Sequence, residues 1–421
     1  MNSANQKMNL SEWLSWMEQC HPSEIELGLG RVSQVAEKLN IDLSASTVVT
    51  VAGTNGKGST ISYLNSIYQQ AGYSVGCYTS PHFIEYNERV RLNGQNSTDK
   101  QLCDAFEKID KARGQIPLTY FEFGTLAALV IFSETKPDLV LLEVGLGGRL
   151  DAVNIIDADI SAVTTVSIDH VDWLGDNREV IGREKSGIFR TAKPAICGDL
   201  NPPKSVAIYA DEIGADLHQS GVDFAYEENG ELWCWQGKDA QGQSKSIADL
   251  KQPELPIQNA ATAIKIVQHI PLAISDEQIK VGIQQAALTG RMQHVEQDNL
   301  HFWLDVAHNP EAAQLLNDRI QGLSGNVYLV LGMLADKDCQ QVIDILSPVV
   351  KATYLSDINV PRGQKAAELA QLFPDEATVQ QFSSVKAAID AVRIDTNPND
   401  NVIIAGSFFT VSDALTILAR K

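Results

Sequence analysis

Short apolar runs alternate with amphipathic segments along the first half of the chain. Thr47–Ala52 is a β-branched run typical of a buried strand, and Gly72 suits the end of the helix that we predict after it. Five apolar side chains share one face of this helix: Ile61, Leu64, Ile67, Tyr68 and Ala71. Further elements are predicted as strands at Ser74–Tyr78, Asp138–Val144 and Ile160–Val166, and as part of a helix at Ala127–Phe132. This alternation is typical of a parallel sheet covered by helices.

The character of the sequence changes around Leu288–Arg291. Before this point, Phe224–Trp235 is predicted to form a hairpin that turns at Asn229-Gly230, the pair preferred in type I′ turns. After it, strands and helices alternate again. The strands are predicted at His301–Val306, Val327–Gly332, Ala352–Leu355 and Val402–Ala405, and the helices at Glu311–Leu323, Gln340–Val350 and Ser384–Val392. We therefore predict a large domain over residues 1–290 and a smaller α/β domain over residues 291–421.

The charge balance restricts the partners of this protein. Of its 421 residues, 53 are acidic and 33 are basic, which gives a formal net charge of −20. Binding to a polyphosphate surface is largely electrostatic, so we expect no nucleic acid and no anionic membrane as a partner. A small anion held by a few positive groups is compatible with this charge.

Cysteine usage and hydropathy indicate the compartment. The 6 cysteines contain no C-x-x-C pair, which argues against a zinc ribbon or a disulfide framework and fits a reducing cytosol. The first residues lack the pattern of a signal peptide, and the apolar run Leu126–Phe132 is far shorter than the ~20 residues that span a bilayer. We expect a cytoplasmic protein.

The segment AGTNGKGST, Ala52–Thr60, lies directly between a predicted strand and a predicted helix. Its glycines let successive backbone N–H groups face a phosphate, and the start of the helix adds a favourable field. Lys57 is placed to reach the phosphates, and Ser59 or Thr60 is placed to meet magnesium. The segment departs from the standard P-loop pattern at its first glycine and after its lysine. A glycine-rich turn that only starts a helix is the alternative, but a lysine in this context favours nucleotide binding.

Polar residues follow several of the predicted strands. Glu143 ends one apolar run, Ser80 follows another within the turn TSPHF, and Asp169 and His170 follow a third. Because the carboxyl ends of parallel strands meet at one edge of a sheet, we expect these side chains beside the phosphate loop. Magnesium favours a few carboxylates together with phosphate oxygens and waters. A solvated glutamate and a structural histidine are the alternatives for single residues, but the convergence of four strand ends favours a metal-dependent site.

Other charged segments are less specific on their own. Arg183, Glu184 and Lys185 cluster at a predicted helix start, and such a cluster is ordinarily a solvated face. In the second domain, Asp305 and His308 follow a predicted strand, where a carboxylate can hold a ribose or a phosphate-bound metal. Two more strands end in glycine-punctuated segments, Gly332–Asp338 and Ala405–Val411.

Taken in order, these motifs resemble the dihydrofolate synthase/folylpolyglutamate synthase family of the Mur ligase superfamily. The matching segments cover essentially the whole chain and include GTNGKGS, YTSPH, LEVGLGGRLDAVN, SIDHVDWLG, REKSGIFR, NAATA, LDVAHNP, GMLADKD and GSFFTV. The resemblance implies an α/β fold with a P-loop-containing Mur-ligase-type central domain, built on a parallel-rich sheet, and a smaller Rossmann-like α/β domain after it. It also implies an ATP-dependent amide ligase that joins L-glutamate to dihydropteroate and to tetrahydrofolate.

The resemblance further implies the residues of the site. ATP would be contacted by Thr54, Asn55, Gly56, Lys57, Gly58, Ser59, Asn259, Arg291 and Asp305. Two magnesium ions would be held by Ser80, Glu143, His170 and Lys185, the last as a carbamate. The pterin substrate would lie against His21, Pro22, Thr119, Tyr120, Phe121, Glu122, Leu150, Asp151 and Ala152. Catalysis would involve Lys57, His170, Lys185 and His308; no redox cofactor is implied, and we expect a monomer.

The implied chemistry proceeds through an acyl phosphate. ATP phosphorylates the substrate carboxylate, and the glutamate amine then displaces phosphate from the acyl carbon. Two alternatives stay open. Another Mur-type amino-acid ligase is disfavoured because little sequence precedes Thr47 for a separate UDP-binding domain. A nucleotide-switched binding protein would use the loop without turnover.

Overall fold

The chain divides into two compact units in the structure, a computed structural model that describes residues 8–21 and 26–419. Of the described residues, the first unit comprises those of Met1–Ile168 and Leu174–Ala287, and the second comprises Asp169–Trp173 and Leu288–Lys421. The short segment Asp169–Trp173 therefore belongs with the carboxyl-terminal part of the chain, which the sequence did not predict. The predicted domains, residues 1–290 and 291–421, remain a prediction, because a compact unit in the structure is not by itself an independently folding domain.

Among the described residues up to Ala287, the chain forms ten helices and eleven strands. The helices are α1 Leu10–Met17, α2 Gly30–Leu39, α3 Lys57–Gln70, α4 Asp99–Arg113, α5 Tyr120–Thr135, α6 Val171–Leu174, α7 Arg178–Ser186, α8 Lys204–Ile213, α9 Ile257–Val267 and α10 Asp276–Gln285. The strands are β1 Thr47–Ala52, β2 Val75–Tyr78, β3 Val90–Leu92, β4 Gln95–Asn96, β5 Leu139–Glu143, β6 Ile160–Val163, β7 Pro194–Cys197, β8 Asp216–Gln219, β9 Phe224–Asn229, β10 Leu232–Lys238 and β11 Ser244–Lys251. No helix in the described part of the chain is long and apolar enough to cross a membrane.

The main sheet of the first unit contains eight of these described strands, in the order β4-β3-β2-β5-β1-β6-β7-β8. The six strands from β2 to β8 in this order run parallel, whereas β3 and β4 are antiparallel. After β1 the chain builds one side of the sheet with β2 and β5, and then crosses to the other side at β6. Such a reversal opens a crevice at the carboxyl ends of the strands, where open α/β sheets bind ligands. The predicted parallel-rich sheet is confirmed.

Helices bury the apolar faces of this sheet. α5 is buried from Glu122 to Phe132, and the predicted run Ala127–Phe132 lies inside it. α1 packs through Trp13 on Phe106 of α4, with the ring centroids 5.9 Å apart. The predicted face of α3 is buried at four of its five positions, Ile61, Leu64, Ile67 and Tyr68. Burying one large apolar side chain contributes about 1.5–3 kcal/mol, so these faces hold the helices that flank the crevice.

The predicted hairpin is present, but its turn lies one residue later than the prediction. Asn229 pairs with Leu232 in the antiparallel ladder, so the loop consists of Gly230 and Glu231 rather than Asn229-Gly230. Gly230 takes φ +66°, which a glycine adopts without steric cost and which lets Asn229 remain in the strand. A third strand completes the antiparallel sheet β11-β10-β9.

The second unit is a smaller α/β sheet covered by helices. Its described helices are α11 Pro310–Ile320, α12 Cys339–Leu346, α13 Ala366–Ala370, α14 Val385–Asp395 and α15 Phe408–Leu418. Its described strands are β12 Gln293–Gln297, β13 Leu300–Leu304, β14 Val327–Leu331, β15 Ala352–Ser356, β16 Val379–Phe382 and β17 Asn401–Ala405, and they form the order β12-β13-β17-β14-β15-β16. Only β12 is antiparallel to its neighbour. The four predicted strands are confirmed, whereas β12 and β16 were missed because both are polar edge strands.

Candidate active site

The phosphate loop joins β1 to α3 and is held by the segment that follows β6. The Thr54 N–H donates to the Thr165 carbonyl at 2.8 Å, and the Asn55 N–H donates to the Thr165 hydroxyl at 3.1 Å. The Thr54 hydroxyl donates to the Ser167 carbonyl and accepts from the Ser167 N–H, both at 3.0 Å. These hydrogen bonds tie the curve of the loop to a neighbouring strand end.

Two glycines and a lysine give the loop its shape. Gly53 takes φ +150° and Gly56 takes φ +87°. A Cβ on Gly56 would lie 2.4 Å from the Asn259 Oδ1, so only glycine fits between the loop and α9. The Lys57 Nζ donates to the carbonyls of Gly53 and Thr54 at 2.8 and 3.1 Å. The structure thus brings Asn259 to the loop and keeps the Lys57 ammonium at the loop.

The first turn of α3 adds backbone donors. Gly58 and Ser59 lie in this turn, and Ser59 is buried. Gly56 is the N-cap of the helix, so no side chain caps the first N–H groups. Uncapped N–H groups at a helix start, with the positive end of the helix dipole, are suited to an anionic phosphate.

Glu143 and Ser80 meet at the carboxyl ends of β5 and β2. The Ser80 N–H donates to the Glu143 Oε2 at 3.1 Å, and the Glu143 side chain is buried. Glu143 pairs in register with Val51, one residue before the end of β1. A carboxylate and a serine hydroxyl close to the phosphate loop form the oxygen-donor set that magnesium prefers. The described donors therefore fit a magnesium ion.

Asp151 organises the turn that follows Glu143 in sequence. Its Oδ2 accepts the N–H groups of Gly145 and Leu146 at 3.0 and 2.9 Å, and its Oδ1 accepts the N–H of Val153 at 3.0 Å. Burial raises the pKa of Asp151 to about 6, although these hydrogen bonds oppose the shift. Ala152 opens a short 3₁₀ turn directly after it. Both Asp151 oxygens hold backbone, so this side chain shapes the wall of the site.

The cluster Arg183, Glu184 and Lys185 lies in the last turn of α7 and not at a helix start, because α7 begins five residues before Arg183. It is a solvated face only in part: the Arg183 side chain is 52% exposed, whereas Lys185 is 4% exposed. A Cβ on Gly148 would lie 2.7 Å from the Lys185 carbonyl, and the Arg149 guanidinium forms three hydrogen bonds with the Glu184 carboxylate. The glycine-rich turn after β5 thus packs on the backbone at Lys185.

Polar contacts link the predicted substrate segments before α2 and at the start of α5. The His21 Nε2 lies 3.1 Å from the Glu26 Oε2, and Arg31 contacts both Glu26 and Glu122, the latter at 3.1 Å. The Thr119 N–H donates to the Glu122 Oε2 at 2.8 Å as part of the α5 capping box. Both Glu122 oxygens are therefore engaged by protein groups. Arg31 was not singled out from the sequence, and its position between two carboxylates is the feature that identifies it.

Two more contacts join the same segments to the turn after β5. The Gly28 N–H donates to the Leu150 carbonyl at 3.3 Å. The Phe121 ring packs so closely on Gly145 that a Cβ there would lie 2.6 Å from it. All the predicted substrate residues that the structure describes thus fall in three mutually contacting segments, whereas Pro22 lies outside the described residues.

Tyr120 belongs to an aromatic and cationic group beside these segments. The Arg89 guanidinium lies 5.6 Å from the Tyr120 ring centroid and 5.4 Å from that of Tyr86. The Arg89 Nε donates to the His82 Nδ1 at 2.9 Å. Burial, with the charge of Arg89, lowers the pKa of His82 to about 4, so this imidazole is neutral near pH 7. Aromatic rings beside a guanidinium suit a flat heterocycle.

In the second unit, Asp305 and Arg291 lie at the end of β13. The Asp305 carboxylate accepts the N–H groups of Met292 and Ala307, each at 2.9 Å. Burial raises the pKa of Asp305, and the charge of Arg291 opposes this shift. The Arg291 guanidinium also lies 5.5 Å from the Phe408 ring centroid. Asp305 thus fixes the backbone that presents Arg291.

Asp169, His308 and Lys337 form a charged cluster in the same unit. The Lys337 Nζ lies 2.6 Å from the Asp169 Oδ1, and the His308 Nε2 lies 3.6 Å from the Asp169 Oδ2. The His308 Nδ1 lies 2.9 Å from the Val306 carbonyl, which only accepts, so this nitrogen carries a proton. Burial disfavours the Asp169 carboxylate, but the His308 hydrogen bond and the Lys337 charge outweigh it and hold the pKa of Asp169 well below its usual range. His170 follows with φ +52°, its N–H bonded to Asp169 at 2.8 Å.

Comparison with known proteins decides the family. The chain matches the Mur ligase middle domain over residues 51–219 and the Mur ligase glutamate ligase domain over residues 290–408. It is 44% identical to the dihydrofolate synthase/folylpolyglutamate synthase of Escherichia coli K12 over 414 residues, 98% of this chain and 96% of the relative. The chain belongs to the dihydrofolate synthase/folylpolyglutamate synthase family. It is therefore an ATP-dependent ligase of the Mur type, as the motifs predicted.

Solved structures of this ligase family share the fold. The Escherichia coli FolC complex with DHPP and ADP has a TM-score of 0.93 at 44% identity, and the alignment covers 99% of each chain. A bifunctional folylpolyglutamate synthase/dihydrofolate synthase with Mn, AMPPNP and L-glutamate bound has a TM-score of 0.91 at 43% identity, covering 99% of this chain and 100% of that one. The predicted fold class is confirmed.

One residue of the charged cluster, Lys337, was not recognised from the sequence as a site candidate. Lys337 lies in the GMLADKD segment, whose only visible signal was a lysine among acidic residues after a strand. Asp169 was noted beside His170, but its partner is 168 positions away in sequence. The pairing of Asp169 with Lys337 is not visible without the tertiary structure of the second unit.

Proposed function

We propose that this ligase joins L-glutamate to dihydropteroate, which yields dihydrofolate, and to the γ-carboxylate of tetrahydrofolates. The observation that carries the proposal is the edge of the first sheet, where Asn259 packs on Gly56 of the phosphate loop and Ser80 meets Glu143. An anion-binding loop and an oxygen-donor set at one edge suit transfer of a phosphoryl group from ATP. The relatives that carry both activities in their names support the two substrates.

The chemistry follows from the poor reactivity of a carboxylate. An oxygen of the substrate carboxylate attacks the γ-phosphorus of ATP, which forms an acyl phosphate as ADP leaves. The Lys57 ammonium and the N–H groups at the start of α3 offset the charge of the phosphates in this step. The amine of L-glutamate then attacks the acyl carbon and loses a proton, and inorganic phosphate leaves as the amide forms.

We assign two magnesium ions to this site, held by Ser80, Glu143, His170 and a carbamylated Lys185. Bound magnesium neutralises phosphate charge and polarises the phosphoryl oxygens. The adjacent Glu143 and Ser80 support the first site. Burial of Lys185 supports the modification, because a buried ammonium is costly. The ammonium first loses a proton, and the amine then reacts with CO₂ and releases a second proton, which leaves a carboxylate-like ligand.

Intact mass spectrometry under CO₂-retaining conditions tests the carbamate at Lys185. We expect the mass of one added CO₂ on the wild-type chain and none on Lys185→Met. Arg183→Gln, on the exposed side of the same helix, is the matched control and should keep the added mass. An unmodified wild-type chain, or a modified Lys185→Met chain, contradicts the assignment.

Other residues take roles in nucleotide and substrate binding. We assign Thr54, Asn55, Gly58 and Ser59 to the phosphates and Arg291 and Asp305 to the nucleotide, because the first four form the loop and the last two form one charged unit. The folate substrate is assigned to the His21–Leu29 loop and to the segments Thr119–Glu122 and Leu150–Ala152. Among the described residues of these segments, Gly28 bonds to Leu150, and Arg31, close after the loop, contacts Glu122. His308 is assigned to the incoming amino acid, since its Nδ1 donates to the Val306 carbonyl and its Nε2 faces the Asp169 carboxylate, with which it can exchange a proton.

We further propose that the enzyme acts as a cytoplasmic monomer without a redox cofactor. Six free cysteines in the described residues, without a C-x-x-C pair, support a reducing compartment. Light scattering coupled to size exclusion tests the monomer, which should show the 45.9 kDa mass of one chain. A stable dimer would overturn this part of the proposal.

The test of the function is product formation with each substrate separately. Purified protein is incubated with ATP, magnesium and labelled L-glutamate, with either dihydropteroate or a tetrahydrofolate as acceptor. We expect labelled dihydrofolate from the first and a γ-glutamyl product from the second, each with one ADP released per amide.

Two variants and a control sharpen this assay. Lys57→Ala should lower glutamate-dependent ADP release on the order of 100- to 1,000-fold, because a preorganised charge at the phosphates is lost. His170→Ala should lower it similarly, because a metal ligand is lost. Lys111→Ala, at a 75% exposed side chain on α4, should leave the rate unchanged. Full activity of Lys57→Ala, or an amide formed only with a UDP-sugar acid, would contradict the proposed function.

A further inference from the structure

A group of nitrogen and oxygen donors lies at the far edge of the first sheet, on β8. Asp216 and His218 are two positions apart on this strand, so their side chains point to the same face. His269 lies two residues after the last residue of α9, the helix that packs beside β7. Two imidazoles and a carboxylate are thereby brought together from an edge strand and a helix end.

The donor atoms are already close. One ligand atom of each residue lies within 4.8 Å of the other two, and the His218 Nε2 lies 3.0 Å from the Asp216 Oδ2. The rings of His218 and His269 are 4.4 Å apart between centroids. The donors of a tetrahedral zinc lie about 3.4 Å apart, so small side-chain rotations close the group around an ion.

His269 carries an orphaned nitrogen. Its Nε2 is buried and has no hydrogen-bond partner among the described residues. A buried polar atom without a partner is costly, and a metal ion is one way to satisfy it. Burial, with the charge of Lys265, lowers the pKa of His269 to about 4, so the ring is neutral near pH 7, as a metal ligand must be.

The surrounding charges are acidic on balance. Asp223, Asp239 and Asp216 all act on Lys265, whose Nζ donates to the Lys238 carbonyl at 2.8 Å. Burial lowers the pKa of Lys265, and the three carboxylates oppose that shift. Asp216 and Asp239 also act on His269, and Lys238 adds a second positive charge near Lys265. A divalent cation here therefore has the Asp216 carboxylate as a ligand and the Asp239 charge nearby, and the Lys265 ammonium is already bonded to the backbone.

We propose that Asp216, His218 and His269 bind a divalent transition-metal ion, with Zn²⁺ as the preferred occupant. Imidazole nitrogen suits Zn²⁺, Co²⁺, Ni²⁺ or Cu²⁺, whereas Mg²⁺ prefers oxygen donors. The site is separate from the phosphate loop and takes a different class of metal. It is therefore independent of the proposed magnesium sites.

The position of the site gives it a structural consequence. The ion ties the edge strand β8 to the end of α9, and the other end of this helix presents Asn259 to the phosphate loop. A ligand that binds the folded state alone stabilises it by mass action. We expect Zn²⁺ to raise the melting temperature of the protein.

The test is zinc retention by tag-free, full-length protein in excess Mg²⁺, which occupies oxygen-donor sites. After desalting, metal analysis should find one equivalent of zinc on the wild-type chain. With Co²⁺ in place of zinc, the protein should show the absorption bands of a cobalt ion bound by nitrogen ligands. His269→Gln and His218→Asn should weaken zinc binding by at least about 10-fold. Asp216→Asn should also weaken zinc binding. Because the Asp216 side chain is exposed, this variant should fold normally, and it keeps the test valid if the histidine variants misfold.

The chain provides a matched control in a second histidine pair. His294 and His301 are stacked on β12 and β13, and their ring nitrogens bond to each other at 3.0 Å. His301→Gln should retain the full equivalent of zinc and the wild-type increase in melting temperature. The proposal is overturned if the wild-type chain retains no zinc in excess Mg²⁺, if His301→Gln loses as much zinc as His269→Gln, or if Asp216→Asn binds zinc as tightly as wild type.

Discussion

The phosphate loop of the first unit and the Asp169 cluster of the second unit are both polar sites at strand ends, yet they are built differently. The hydrogen bonds between the loop and Thr165 or Ser167 each have a backbone group on at least one side, and Gly53 and Gly56 take conformations that other residues rarely adopt. The cluster is held by side chains, with Lys337 at 2.6 Å from Asp169. The first site is therefore sensitive to added volume, whereas the second is sensitive to lost charge.

Because of this difference, substitutions in the loop should mainly change activity, whereas substitutions in the cluster should mainly change stability. A backbone-built site changes little in stability when its catalytic geometry is lost, because most of its hydrogen bonds remain. A buried ion pair leaves an uncompensated charge when one partner is removed, which costs folding free energy directly. The following four substitution pairs test this distinction.

Lys337→Met should produce the largest loss of stability. The ammonium is 8% exposed and its partner carboxylate is 10% exposed, so the variant removes a full positive charge from a buried carboxylate and leaves it with His308, 3.6 Å away. We expect the free energy of unfolding to fall by about 3–5 kcal/mol in urea titration. Lys365→Met removes the ammonium of an exposed pair in the same unit, 3.0 Å from Asp357, and should cost about 0–1 kcal/mol.

A double-mutant cycle then isolates the pair. Asp169→Asn combined with Lys337→Met should be less destabilised than the sum of the single variants, because the neutral pair leaves no isolated charge. Strictly additive effects would show that the two side chains do not stabilise each other.

Gly56→Ala should mainly affect activity. Its Cβ would lie 2.4 Å from the Asn259 Oδ1, so the loop must shift away from the phosphates. We expect kcat/KM for ATP to fall on the order of 100-fold, the scale for loss of preorganised donors. Gly72→Ala is the matched control: its φ is +85° and a Cβ there has open space. It should cost about 1–2 kcal/mol of stability with unchanged kcat/KM, and equal activity losses in both variants would refute the steric explanation.

The pH dependence of stability should have opposite signs for Asp169 and for Asp151, the buried aspartate in the turn after β5. Asp169 has a lowered pKa in the folded state, so it stabilises the fold above the ordinary aspartate pKa of about 3.9, and this contribution is lost as the pH falls below it. Asp151 has a pKa raised to about 6, so its contribution is present at acid pH and is lost as the pH rises from about 3.9 through 6.

Urea titrations across this pH range measure both contributions. The stability difference between wild type and Asp169→Asn should shrink as the pH falls below about 3.9. Relative to Asp151→Asn, the wild-type chain should instead gain stability as the pH falls from 6 to about 3.9. If the stability difference changed in the same direction with pH for both variants, the environments assigned to Asp169 and Asp151 would be wrong.

Arg183→Gln should have the smallest effect. The guanidinium and its partner Glu212 are each about half exposed, so we expect a change within about 0.5 kcal/mol and unchanged turnover. Lys185→Met, two residues along the same helix, should abolish turnover if the buried lysine holds metal. Equal behaviour of the two variants would show that burial does not distinguish them.

Features formed by residues adjacent in sequence could be predicted, whereas features formed by distant residues could not. The phosphate loop was predicted correctly in position because a strand, a glycine-rich turn and a helix are adjacent in sequence. The edge strands β12 and β16 were missed because their faces are polar and their pairing depends on neighbours. The burial of Lys185 was missed for the same reason, since Gly148 reaches it from a distant turn.

The sequence by itself determined the fold class, the order of motifs and the family, because local periodicity and glycine-containing turns are properties of neighbouring residues. Tertiary structure alone decided which charges meet: Asp169 and Lys337 are 168 positions apart, and His269 reaches β8 only after α9 has packed. Such contacts depend on the order of strands in a sheet, which no local pattern specifies. The physical reason is that backbone geometry is encoded locally, whereas side-chain electrostatics depend on distant partners brought together by folding.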